Sequence, residues 1–238
     1  MTRHIRLGML TPSSNTVLEP ETYALLQNAE DVTAHFSRFE VLRIALDAGG
    51  LAQFDNEPIL AAARLLAHAK CDVIAWNGTA ASWLGFDRDE QLVQAIEDAT
   101  GITAATCVLG YRDLFTAICA KRIGLVTPYT DDVQSRIMAN WGAAGFNCSA
   151  ERHVNLVDNF EFANVSEAQI EVMVREVVEQ GCDAAAIVCT NMRGAQVAKR
   201  LQTELGTPIL DSVAVTLWAS LRAAGADDIA AQLFKWPT

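Results

Sequence analysis

Short β-branched and aliphatic runs alternate along this chain with longer stretches in which apolar residues recur at helical spacing. The runs predict strands over Ile5 to Leu10, Val32 to Phe39, Asp72 to Trp76, Ile102 to Ala105, Arg122 to Val126, Ala184 to Val188 and Pro208 to Leu210. Between them, Ile59 to Ala69, Ile170 to Glu179 and about Gly194 to Glu204 read as helices. Pro20 and Pro58 stand where a first helical turn begins, a place where proline's missing N–H has no partner to lose. Strand and helix in alternation make βαβ units on a parallel sheet, so the fold class is α/β.

The chain also repeats itself. Arg6-Leu7-Gly8-Met9-Leu10-Thr11-Pro12 recurs as Arg122-Ile123-Gly124-Leu125-Val126-Thr127-Pro128. In the same order, Cys71-Asp72 and its apolar run to Gly78-Thr79 recur as Cys182-Asp183 and a run to Cys189-Thr190. A duplicated α/β unit predicts two pseudo-symmetric Rossmann-like lobes with the strand-end loops of each facing a cleft, since ligands of open parallel sheets sit beyond the carboxyl ends of strands. The division expected is 1–101 plus 208–238 for the first lobe and 102–207 for the second. Loops Thr11 to Asn15 and Asn77 to Ser82 then face loops Thr127 to Asp131 and Cys189 to Arg193.

Composition narrows what that cleft can hold. With 238 residues, 51% of them hydrophobic, the chain can bury a core large enough to offset its ordering entropy. A net charge of −11, from 18 Lys+Arg against 29 Asp+Glu and without a basic cluster, argues against nucleic acid as a partner. Met1 to Arg6 carries no apolar leader, and no window approaches about 18 uninterrupted apolar residues, so the expectation is a cytoplasmic protein without a membrane partner. The six cysteines lack any CxxC pair and are expected as free thiols, and the four histidines are scattered. No metal is expected. Walker, G-x-G-x-x-G and G-x-S-x-G motifs are absent from the sequence.

The asymmetry between the repeats points to chemistry: the second loop ends in Cys189 where the first has Gly78. Thr190 and Asn191 favour an N-cap, so Cys189 is expected at a helix N-terminus, its pKa pulled below the usual value of about 8.5. Cys71, Cys107, Cys119, Cys148 and Cys182 read as small packing residues. Ser14, Asn15, Thr79, Ser82, Tyr129, Thr190 and Asn191 gather hydroxyls and amides in the facing loops, a neutral cradle for a carboxylate. Each of them also suits a cap or turn. Arg38 and Arg193 are candidate carboxylate contacts. Trp76, Trp83, Leu84 and Phe86 are candidate walls of an apolar pocket or core residues, and Asp131 and Asp132 candidate helix caps.

Gly8-Met9-Leu10-Thr11-Pro12-Ser13-Ser14-Asn15-Thr16, the strand and loop from Asp72 to Thr79, Pro128-Tyr129-Thr130-Asp131-Asp132-Val133 and Cys189-Thr190-Asn191-Met192-Arg193 together resemble the aspartate/glutamate racemase superfamily. Within it the sequence is most similar to the branch of maleate cis-trans isomerases and arylmalonate decarboxylases. The resemblance implies a cofactor-free, metal-free enzyme of two α/β lobes, the last strand and helix returning to the first, and homo-oligomerisation. Racemases and isomerases of this kind use one cysteine from each lobe. Cys189 matches the second, and Gly78 stands at the position of the first, as in the decarboxylases, which have glycine then threonine there and protonate an enediolate from one face. By the same resemblance Asn15, Tyr129 and Asn191 match carboxylate-binding positions, and Thr79 and Tyr129 match oxyanion positions. Ala80 and Thr190 depart from the decarboxylase pattern, which has a hydroxyl residue and a glycine there.

The resulting expectation is an enzyme acting on a small carboxylic or dicarboxylic acid through an enediolate, with Cys189 as its single proton donor, most like an arylmalonate-type decarboxylase. Alternatives are maleate isomerisation, racemase-like proton exchange, and a carboxylate-binding protein without turnover. A cysteine at position 78 is expected to complete a two-thiol site.

Overall fold

The computed structural model describes residues 4–237; Met1, Thr2, Arg3 and Thr238, and the part of the leader reading that falls on them, lie outside the described residues. Eight strands form: β1 (Ile5–Pro12), β2 (Val32–Phe39), β3 (Val73–Trp76), β4 (Ala104–Thr106), β5 (Arg122–Thr127), β6 (Asn147–His153), β7 (Ala184–Ile187) and β8 (Ile209–Asp211). They build two four-stranded sheets, ordered β2-β1-β3-β4 and β6-β5-β7-β8, with every pairing parallel. The second order repeats the first, as a duplicated unit requires. The inner strands β3 and β7 are buried at every position, because helices cover both faces of each sheet.

Eleven α-helices connect them: α1 (Leu18–Leu26), α2 (Ala48–Ala52), α3 (Asn56–His68), α4 (Ala81–Leu84), α5 (Phe86–Thr100), α6 (Cys107–Ala117), α7 (Asp131–Ala143), α8 (Glu167–Glu179), α9 (Ala195–Leu205), α10 (Ser212–Ala223) and α11 (Asp227–Phe234). Pro20 and Pro58 lie in the first turns of α1 and α3. No helix among the described residues is long and apolar enough to cross a membrane.

Two differences from the sequence reading have physical causes. Strand β6 escapes the hydropathy pattern because it is an edge strand with only Cys148 and Ala150 fully inside. The lobe boundary also moves. β4 pairs with β3 and so belongs to the first sheet, whereas Pro208 to Leu210, expected in the first lobe, forms β8 on the second sheet beside β7. The elements exchanged between lobes are the following helices. After β8, α10 packs on β3 and β4. After β4, α6 crosses to the second lobe, where the Tyr111 hydroxyl donates to the Ile187 carbonyl at 2.7 Å. The two crossing helices pack so closely at Gly110 that a Cβ there would stand 3.0 Å from Val215 and 3.1 Å from Ala219.

Tyr111 is fully buried, with Ser212 Oγ 3.1 Å from its hydroxyl. Tyr111→Phe should therefore lower unfolding stability by about 1 to 2 kcal/mol. Urea denaturation with an unchanged m-value checks this.

Candidate functional site

Because all strands in each sheet run the same way, β1, β3, β5 and β7 deliver their loops to one cleft between the lobes. The loops bind each other first. Asn15 Nδ2 donates to Thr190 Oγ1 at 3.1 Å, and Thr190 Oγ1 donates to the Asn77 carbonyl at 2.9 Å. Asn191 Oδ1 accepts the N–H groups of Thr16 and Val17 at 3.0 and 3.3 Å, while its Nδ2 donates to the Asn159 carbonyl at 2.5 Å. Asn15 Oδ1 accepts the N–H groups of Val17 and Leu18, fixing the start of α1. Asn15, Thr190 and Asn191 are thus buried clasps between the lobes. In this state each of the three side chains directs one donor hydrogen to a protein acceptor.

Under the clasps lies a cavity of ≈ 20 Å³, room for about one water. Thr79, Tyr129, Asn159, Cys189 and Thr190 supply its polar side, and Val41, Ile44, Phe54 and Trp83 much of its apolar side. The Thr79 and Tyr129 hydroxyls are 2.6 Å apart. The backbone N–H groups of Gly78, Thr79 and Ala80 have no acceptor among the described residues. A strap from each lobe borders the cavity, and the two join: the Ile44 N–H donates to the Val157 carbonyl and the Asn159 N–H to the Leu42 carbonyl, each at 2.9 Å.

The environment of Cys189 corrects the expected lowering of its pKa. Helix α9 begins only at Ala195, and Cys189 instead opens a turn in which the Asn191 N–H approaches Sγ at 3.4 Å. The thiol is 3% exposed, and burial pushes it up to about 12 against the opposing pull of the Asn191 N–H and the Tyr129 hydroxyl. Burial likewise holds the Tyr129 phenol well above its ordinary range, and the nearby Cys189 adds to it. The site therefore keeps a neutral thiol, suited to donate a proton. Cys107 and Cys148, also pushed up to about 12 by burial, are packing residues elsewhere.

Across the cavity, the backbone at Gly78 is covered by an aromatic ring. A Cβ built there would fall inside van der Waals contact of the Trp76 indole, which is 2% exposed and packs at 5.1 Å on Phe39. A cysteine at position 78 therefore requires the Trp76 indole to move before its side chain can be seated.

The other sequence candidates divide. Ser14 lies outside the cavity lining: its hydroxyl donates to the Val41 carbonyl at 2.6 Å and accepts from Asn159 Nδ2 at 2.7 Å, holding a strap. Arg38 holds the β1 loop through the Ser13 and Asn15 carbonyls and pairs with Glu19, away from the cavity. Arg193 is exposed, and Ser82 is buried without lining the cavity. Trp83 walls the cavity and stacks edge-on with Tyr129 at 5.2 Å, whereas Phe86 packs on Phe146. Leu84 also lies off the lining, and Asp131 and Asp132 begin α7. The straps, with Val41, Ile44, Phe54 and Asn159, are absent from the sequence reading. The signal available was the unusual length of the connection between β2 and α3.

These loops and lobes define a two-lobed α/β protein with a candidate site between the lobes. The arylmalonate decarboxylase family model matches residues 7–235, and the chain belongs to that family. A maleate isomerase of Geobacillus stearothermophilus is 26% identical over 236 residues, 94% of this chain and 93% of that protein. An arylmalonate decarboxylase of Bordetella bronchiseptica is 24% identical over 172 residues, 71% of this chain and 72% of that one. The fold is similar to that of a Nocardia farcinica maleate cis-trans isomerase carrying a covalently bound succinylcysteine intermediate, with a TM-score of 0.85, 22% identity and 93% of each chain covered. The protein is accordingly an enzyme of isomerase or decarboxylase type. Among the described residues no cluster of His, Cys, Asp or Glu could hold a metal ion.

Gly78→Cys alone should lower the thermal midpoint, because the indole must leave its rotamer. Gly78→Cys with Trp76→Ala removes the clash and should expose two thiols to a small alkylating reagent, although emptying the buried indole's place itself costs about 3 to 5 kcal/mol. Equal stability of the single variant and wild type would contradict the placement of Trp76.

Proposed function

We propose that the protein acts on a small malonate-type acid, releasing carbon dioxide to leave an enediolate that Cys189 protonates from the second-lobe face. One observation carries this reading: among the described residues that line the cavity Cys189 is the single cysteine, with Gly78 at the matching place of the first lobe. In the proposed step the bond between the α-carbon and one carboxylate breaks, carbon dioxide leaves, and the bonding pair passes into the enediolate. The α-carbon then takes the proton of the Cys189 thiol, and the thiolate regains one from solvent once the straps open. The Tyr129 hydroxyl, whose pull opposes the rise of the Cys189 thiol, would steady the transient thiolate.

The developing oxyanions would meet the Thr79 and Tyr129 hydroxyls and the free N–H groups of Gly78 to Ala80. A preorganised donor of this kind is worth about 2.7 to 4 kcal/mol of barrier. The leaving carboxylate would lie against Val41, Ile44 and Phe54, where an unpaired charge is costly and its loss as a neutral gas relieves the cost.

A second reading, maleate isomerisation, is favoured by the names of relatives matched over nearly the whole chain. Addition of Cys189 to a double bond would need its thiolate, which burial disfavours. The two readings separate by pH. A step using the neutral thiol should be flat from about pH 6 to 9, since the thiol pKa lies far above that window, whereas a thiolate step should rise roughly tenfold per unit.

Incubation with substituted malonates and with maleate in D₂O, followed by NMR, tests the proposal. The expected outcome is carbon dioxide loss with one deuteron in a product of single configuration, slowed at least about 10²-fold in Cys189→Ala. Turnover that survives Cys189→Ala, or fumarate as the faster product, would overturn it.

A further inference from the structure

A second cavity of ≈ 550 Å³, within the range of small-molecule sites, opens between α1, α9, the end of β8 and the segment after α11. Two carboxyls from different elements border it. Asp211, fully buried at the end of β8, uses Oδ1 to cap α10 through the Val213 and Ala214 N–H groups at 2.9 and 3.2 Å, and its Oδ2 has no hydrogen-bond partner. Glu21 of α1 likewise has a buried Oε2 without a partner, while its side chain is hydrogen-bonded to Gln196. Gly194 makes the approach to Asp211 possible, since a Cβ there would stand 2.5 Å from Oδ2. Burial pushes Asp211 up to about 7, with Glu21 adding to the rise, and burial raises Glu21 in turn, with Glu167 adding to it and Gln196 and Arg193 opposing it.

The opposite sign lies at the mouth. Lys199 of α9 and Lys235 after α11 border the cavity, are exposed, and form no salt bridge among the described residues. Between floor and mouth runs an apolar wall that includes Leu25 and the stacked pair Phe234 and Trp236, whose rings are 5.0 Å apart.

A buried carboxylate oxygen without a donor is costly, and two facing one cavity repel each other. A ligand that ends in an ammonium group supplies both missing N–H donors and the compensating charge. A ligand with an anionic group at its other end also meets the lysines. We propose that this cavity binds a small zwitterion of the amino-carboxylate class, its ammonium between Glu21 and Asp211, its methylene body along the wall and its carboxylate at Lys199 and Lys235. This site is separate from the cavity at Cys189, with which it shares no lining residue.

Calorimetric titration of the full chain with δ-aminovalerate, n-pentylamine and valerate tests the assignment. δ-Aminovalerate is expected to bind one per chain and more tightly than either half-ligand, with saturating malonate leaving its affinity unchanged. Glu21→Gln should weaken it about tenfold or more, as loss of a charge-assisted hydrogen bond predicts. Asp211→Asn, which keeps the α10 cap, serves as a second floor variant, and thermal unfolding confirms that each is folded. Absence of binding, equal affinity in both floor variants and wild type, or competition by malonate would overturn the proposal.

Discussion

The hydrogen bonds that Asn15, Thr190 and Asn191 make across the lobe boundary are the interactions on which the rest of the site depends. Each is worth only about 0.5 to 1.5 kcal/mol net, but all three side chains are buried, so parting the lobes without solvent or substrate leaves several orphaned polar groups at once. They hold four strand-end loops in register and bring one backbone strap from each lobe over the cavity. The burial that results sets the chemistry. A thiol in that interior stays protonated at neutral pH, whereas the same thiol on a helix N-terminus would ionise readily.

Closure also limits how an anion can be held. The cavity lining contains no lysine or arginine, and the chain carries a net charge of −11, so long-range attraction contributes nothing to capture. Short-range neutral donors remain, and these favour charge that develops at a fixed place over charge that merely arrives. A cavity with room for about one water cannot admit a dicarboxylate as it stands. In the proposed reaction, substrate would enter with the paired straps at 42–44 and 157–159 parted, and the donors of the clasps would then be available to its oxygens.

How much of this was legible in the sequence varies with the kind of constraint. Buried strands announce themselves, and seven of the eight were visible as apolar runs; β6 was hidden because an edge strand needs only one apolar face, here Cys148 and Ala150. The repeat correctly predicted two lobes. It could not show which sheet the strands at 104–106 and 209–211 would join, since pairing is a tertiary choice between equally apolar edges. At the site, Thr79, Tyr129 and Cys189 were found because polar residues at strand ends face the cleft. Ser14, Asn15, Thr190 and Asn191 share that signature yet serve as clasps in the closed state, a distinction made by partners that lie 27 to 175 residues away. The Cys189 microenvironment was misread because a turn of Thr190 to Gly194 separates it from α9. The role of Trp76 over Gly78 depends on a rotamer that no pattern encodes.

The duplication clarifies why the two lobes now do different work. Each sheet ends in a residue that caps the exchanged helix, Thr106 for α6 and Asp211 for α10, and each lobe buries one carboxyl at that corner. Burial pushes both Asp89 and Asp211 up to about 7, and each leaves one oxygen unpartnered. In the first lobe the carboxyl stands on α5 and is hydrogen-bonded to Thr106. In the second it stands on the strand itself, borders an open cavity, and its charge raises the Cys189 thiol. The same divergence separates Gly78 from Cys189. The first lobe places glycine and an indole wall at its strand end, while the second places a buried thiol at the matching one, so the two copies of one corner have diverged in what they present to the cavity.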